Sequence, residues 1–244
     1  MLRALALILS FLLPVCGQAG EVRLAVASNM LPAARDLADA FAAATGHSAS
    51  IAHGATGRLF TQITQGAPFD VFLAADRARP DALEQRGLSH ARRTYALGRL
   101  VLVGRDAIRA DGLAATLVGR RVAIADPALA PYGVAAMEVL EGAGVDPAAM
   151  TVLWAESVAQ VAVWVQTGNA EYGFLAASLV PGLEARGPLV IEPVPSSAHA
   201  PIAQDAVWLA GAADSAAARA FWDWFGGAEA ARILSNHGYD VPAP

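Results

Sequence analysis

The chain has 244 residues, a formal net charge of -5 and a hydrophobic fraction of 55%. Such a length builds one large α/β unit or two lobes of roughly 100 residues each, and the apolar content excludes a disordered chain. No Lys/Arg block stands out, which argues against a nucleic-acid partner, since that class needs a basic face.

Arg3 precedes an apolar run from Ala4 to Val15, and Gly17 and Ala19 frame a cleavage point. This is the pattern of a secretory signal peptide over residues 1–20, so a periplasmic location is expected. The run is too short for a permanent span, which takes roughly 20 apolar residues. Anchoring as a lipoprotein through Cys16 is the competing reading, but Pro14 and Val15 suit it poorly. Cys16 is the only cysteine. A mature chain without it has no disulfide and no thiolate metal site.

Strands and helices then alternate. Val22 to Ala27 is β-rich, and Leu31, Ala34, Leu37, Ala38 and Phe41 repeat at helical spacing, with Pro32 early in that helix. A strand is expected over His47 to His53, then Gly54-Ala55-Thr56-Gly57 and a helix that turns Leu59, Phe60 and Ile63 inward. Phe69 to Ala74 reads as a buried strand. Such alternation implies parallel sheets covered on both faces. After an apolar strand at Arg99 to Val103 the pattern restarts: strand Arg121 to Ala125, a helix with Val134, Met137 and Leu140, and strand Thr151 to Trp154. A helix carrying Val158, Val161 and Val165 and a strand Tyr172 to Ala176 follow. Pro193 to Pro201 has loop composition. A strand Ala206 to Leu209 and a helix with Phe221, Trp224 and Phe225 finish the chain. Two βα sets joined by crossings at Ala96 to Val103 and Ile202 to Leu209 suggest two lobes, although a single Rossmann-like domain alternates in the same way.

Four strand-to-helix junctions carry small or hydroxyl residues: Ala27-Ser28-Asn29, Gly54-Ala55-Thr56-Gly57, Ala130-Pro131-Tyr132-Gly133 and Glu156-Ser157-Val158. Helix N-termini offer unpaired N–H groups and the positive end of the helix dipole, so they hold anions without a cation. Ser28 and Thr56 add hydroxyls, while Tyr132 and Val158 offer backbone N–H groups. Each junction taken singly is also an ordinary N-cap, worth about 1 kcal/mol. The four form a site only if the fold brings them to one cleft.

From Val22 onward the chain resembles the periplasmic molybdate/tungstate-binding proteins of ABC importers. The stretches that carry the resemblance are AVASNMLPAARDLADAFAAATGH, GATGRLFTQITQGAPFDVFLAAD, YALGRLVLVGRD, AIADPALAPYGVAAMEVL and AESVAQVAVWVQTGNAEYGFLA. The resemblance implies an α/β, two-lobed type II periplasmic-binding-protein fold, with mixed sheets flanked by helices and two crossover hinge strands. Lobe one would comprise residues 21–98 plus 206–244, and lobe two residues 99–205. It further implies a tetrahedral oxyanion held by Ser28, Asn29, Thr56, Tyr132 and Val158, an ABC-transporter permease as partner, a monomer, no cofactor and no protein-ligated metal. Two departures stand out. Ala55 replaces a usual serine, and Ala176 stands where some members place a tyrosine, a lost phenol that Asn29 and Tyr132 are expected to offset. Sulfate, thiosulfate or another oxyanion on the same fold is the alternative ligand.

Other chemistry finds little support. His47, His53, His90, His199 and His237 are scattered without a metal-ligand spacing. No Gly-x-Ser-x-Gly elbow is present, so an enzyme is not expected. Arg58 reads as solvated or as a source of long-range attraction for an anion. Trp154, Trp164, Trp208, Trp222 and Trp224 read as core and interface anchors. Trp222 and Trp224 cannot share a helix face, which would leave one of them exposed.

Overall fold

A computed structural model describes residues 19–108, 112–184 and 188–242. The expected signal sequence, with Cys16, falls outside the described residues apart from its last two positions. Two five-stranded sheets organise the rest. In the first, β1 (Glu21–Ala27) is parallel to β2 (Ser48–Gly54) and to β3 (Val71–Leu73). β10 (Ile202–Leu209) runs antiparallel between β3 and β4 (Ser89–Gly98). The second repeats the plan. β6 (Arg121–Ala125) is parallel to β7 (Thr151–Ala155) and β8 (Tyr172–Ala176). β5 (Leu100–Gly104) runs antiparallel between β8 and β9 (Val190–Pro193).

The parallel sheets implied by βα alternation are therefore mixed. The reversed strands, β10 and β5, are those that arrive from the other sheet, so they enter against the direction of the local βα units. One crossing is the single residue between β4 and β5, Arg99, and the other is the stretch 194–201. The last strand begins at Ile202, four residues earlier than its apolar run suggests, because Gln204 and Asp205 lie inside it, both buried.

Helices cover both faces of each sheet. α1 (Leu31–Thr45) buries Ala33, Ala34, Leu37 and Phe41 against β1 and against α8 (Ala216–Phe225) and α9 (Ala228–Asn236). α2 (Thr56–Thr64) and α3 (Ala78–Gln85) cover the opposite face, with Leu59, Ile63 and Leu83 meeting Phe72. Phe60, expected inside, is only half-buried and lies under the Arg86 guanidinium, 5.2 Å from its centroid. The second sheet packs α4 (Leu113–Leu117), α5 (Pro131–Gly142), α6 (Val158–Thr167) and α7 (Val180–Glu184) into one continuous core. Of the tryptophans, Trp208 and Trp222 are buried and Trp224 half-buried, while Trp154 is 49% exposed and is no core anchor. Trp154 sits on edge strand β7, whose outward face the described residues leave uncovered at that position.

Candidate oxyanion site between the sheets

The first junction leaves β1 at Ala27 and turns through a 3-10 helix, Ser28–Met30, directly into α1. Ser28, Asn29 and Met30 are all buried there. Thr56 is the first residue of α2, Tyr132 the second of α5 and Val158 the first of α6. In the first turn a helix supplies no acceptor to its own N–H groups, so all three residues present a free donor at a positive helix end.

Capping accounts for one junction of the four. Ser157 accepts from the Gln160 N–H and is an ordinary N-cap. The other three helices begin after Ala27, Ala55 and Ala130, which have no capping side chain. The Thr56 hydroxyl accepts instead from the Ala75 N–H across the end of β3, at 3.3 Å. A hydroxyl that accepts from an amide keeps its own proton for a further partner. At the third junction, a Cβ on Gly133 would overlap the Ala125 carbonyl at the end of β6. Glycine there lets the first turn of α5 sit against the strand end, and so brings Tyr132 to the edge of the cleft.

The junctions meet one another across the gap between the sheets. The Gly57 N–H donates to the Leu129 carbonyl at 2.9 Å, tying the second junction to the third. Arg79 donates to the Ala128 carbonyl at 2.7 Å beside the same contact and is itself paired with Asp76. Arg58 reaches Glu156 at 2.7 Å and ties the second junction to the fourth. The Ser28–Met30 turn packs on α6, which joins the first to the fourth. Gln204 of β10 accepts from Asn29 Nδ2 at 3.0 Å and donates to the Tyr132 hydroxyl at 3.2 Å, joining the first to the third.

Ser28, Asn29, Thr56, Tyr132 and Val158 are each no more than 4% exposed and none carries a formal charge. The nearby Arg58 and Arg79 are held in ion pairs. What remains is a set of neutral donors. Such a set suits an anion with no proton of its own, and the one carboxylate within the junctions, Glu156, is exposed and engaged by Arg58. Among the described residues there is no cluster of His, Cys, Asp and Glu able to hold a cation.

Sequence reasoning missed the polar groups behind these donors. Asn29 Nδ2 also donates to the Tyr239 hydroxyl at 2.9 Å, and Ser178 Oγ donates to the Asn29 carbonyl at 2.8 Å. Tyr95 lies 3.0 Å from both the Ala74 carbonyl and Gln204 Oε1. Burial pushes the phenols of Tyr95, Tyr132 and Tyr239 above their usual range, so they stay protonated at neutral pH. Both protons of the Asn29 amide are thus engaged within the protein, which leaves its backbone N–H as the group it offers to the cleft. The one sequence signal for Gln204 was two adjacent polar residues inside an otherwise apolar run.

The model of the bacterial extracellular solute-binding protein family matches residues 22–240. The molybdate-binding protein of Rhodobacter capsulatus is 42% identical over 244 residues, spanning 97% of this chain and 94% of its own. That of Azotobacter vinelandii is 40% identical over 239 residues, spanning 94% of each. The solved periplasmic molybdate-binding protein of Azotobacter vinelandii superposes with a TM-score of 0.84 at 33% identity, covering 91% of this chain and all of the other. On the match over 219 of its positions' span and on these relatives, the chain belongs to the bacterial extracellular solute-binding protein family.

Proposed function

We propose that the protein captures molybdate or tungstate in the periplasm by closing two lobes around it, and delivers the anion to the membrane permease of an ABC importer. Lobe one is built on the first sheet, with the C-terminal segment joining it through β10, and lobe two on the second. Ser28 and Thr56 hold the anion through their hydroxyls, and Asn29, Tyr132 and Val158 through backbone N–H groups. Binding and release complete the cycle without a chemical step, and the working unit is a monomer. The observation that carries this reading is the joining of four uncharged helix starts across one cleft.

A fully deprotonated dianion needs donors only, and this site offers only donors. Sulfate meets the same requirement, so cavity width decides between the two. A ligand that binds the native state raises its melting temperature in proportion to RT ln(1 + [L]/Kd). Micromolar molybdate or tungstate should raise the melting temperature of the purified protein clearly, with sulfate and phosphate inert at the same concentration. A shift with sulfate and none with molybdate would transfer the function to sulfate uptake.

A further inference from the structure

Tyr132 reaches out of α5 into the other lobe, and its hydroxyl ends against β4 and β10. The phenol is buried, and the residue beneath it is Gly98, the last of β4 and next to the crossing at Arg99. A Cβ on Gly98 would overlap the Tyr132 hydroxyl and come within 2.6 Å of Gln204 Nε2. Gln204 stands one strand away on β10, where Ile202 pairs with Gly98 and Gln204 with Ala96. Its amide is held from the other side: Oε1 faces Asn29 Nδ2 and the Tyr95 hydroxyl, so Nε2 can only point at Tyr132.

A rigid aromatic ring whose tip is seated beside a hinge acts as a strut. It sets how closely the first turn of α5 approaches lobe one. That turn also carries the Tyr132 N–H, and the opposing donors at Ser28 and Thr56 belong to lobe one. We infer that Gln204, with Gly98, is a specificity-determining positioning residue: it seats the Tyr132 hydroxyl, fixes the closing distance of the lobes and thereby sets the width of the anion cavity. The inference rests on the oxyanion reading above. The sulfur–oxygen bond is shorter than the molybdenum–oxygen bond, and donors held rigidly at one spacing satisfy one of these anions better than the other.

The test compares molybdate and sulfate affinities by titration and competition in the wild type, Gln204→Leu, Tyr132→Phe and the double variant. A side chain that only supports the fold weakens both anions by one factor and leaves their ratio unchanged. A strut changes the ratio. The molybdate-to-sulfate preference should fall about tenfold or more in each single variant, the scale of one buried hydrogen bond. The double variant should fall no further than the weaker single, because both remove the same contact. Tyr132→Phe keeps the ring, so the experiment stands even if Gln204→Leu folds poorly. An unchanged ratio in Tyr132→Phe overturns the inference while leaving the oxyanion reading intact. A wild type that binds neither anion overturns both.

Discussion

Thr56 shows how one side chain can be read two ways. By type it is a helix-start residue like Ser157, and the two are indistinguishable in the sequence. What separates them is where the hydroxyl finds its partner. Ser157 bonds within its own turn, whereas Thr56 accepts from Ala75, just past the end of β3 and 19 positions away. That geometry leaves the threonine proton free for a further partner. Thr56→Val keeps the shape and removes the proton, and should weaken molybdate binding by about 10- to 100-fold, as expected for a hydrogen bond to a charged partner. Thr56→Ser should stay within a few fold of the wild type in the same titration. The positions of Ser28, Asn29, Tyr132 and Val158 at strand-to-helix junctions were legible from spacing, which left donor and cap as alternatives, and their assignment to one oxyanion was implied by resemblance. Gln204, Tyr239, Ser178 and Tyr95 were not legible, because their meaning lies in partners up to 210 residues distant.

Elements with strong apolar periodicity, such as α1, α6 and β8, were readable because one face is continuously buried. β4 was not. Its sequence, SHARRTYALG, looks polar, yet it pairs along its length with β10. The reason is that its charges are satisfied locally. Arg92 Nε donates to the buried Asp205 at 2.6 Å, Thr94 donates to the other carboxylate oxygen at 2.7 Å, and Arg93 lies 3.9 Å over the Trp222 ring. Asp205 is 1% exposed, so removing its main partner leaves a largely stranded charge in the sheet, held only by Thr94 and by Arg77 at 3.6 Å. Arg92→Ala should therefore cost about 3 kcal/mol in denaturant unfolding. Adding Asp205→Asn to that variant should recover part of the loss, since the stranded charge is then gone. α9 escaped prediction for a different reason: its apolar face, Ala230, Ile233 and Leu234, is short and follows two glycines.

At the scale of the whole molecule, the lobes meet through contacts of unequal character. The Gly57–Leu129 and Ser178–Asn29 bonds engage backbone groups inside the cleft, whereas Arg58 and Glu156 form an exposed pair, 53% and 64% accessible. Exposed pairs contribute less than about 1 kcal/mol and are screened by salt. Arg58→Ala should lower affinity by less than about fivefold at low ionic strength, and the difference from wild type should vanish in high salt. A loss that persists in high salt would mean that Arg58 acts on the anion directly rather than through Glu156.

The first sheet takes its strands in the order β2-β1-β3-β10-β4, so a strand made near the end of the chain lies between two made early. Until Ile202–Leu209 is available, β3 and β4 have no bridge, and the face formed by α8 and α9 is missing as well. The second sheet, by contrast, is built from one uninterrupted stretch between Leu100 and Pro193. The N-terminal part of the polypeptide is thus held open by topology while the rest is still being delivered. The second sheet can therefore close before the chain is complete, whereas the first closes only once Ile202–Leu209 has joined it.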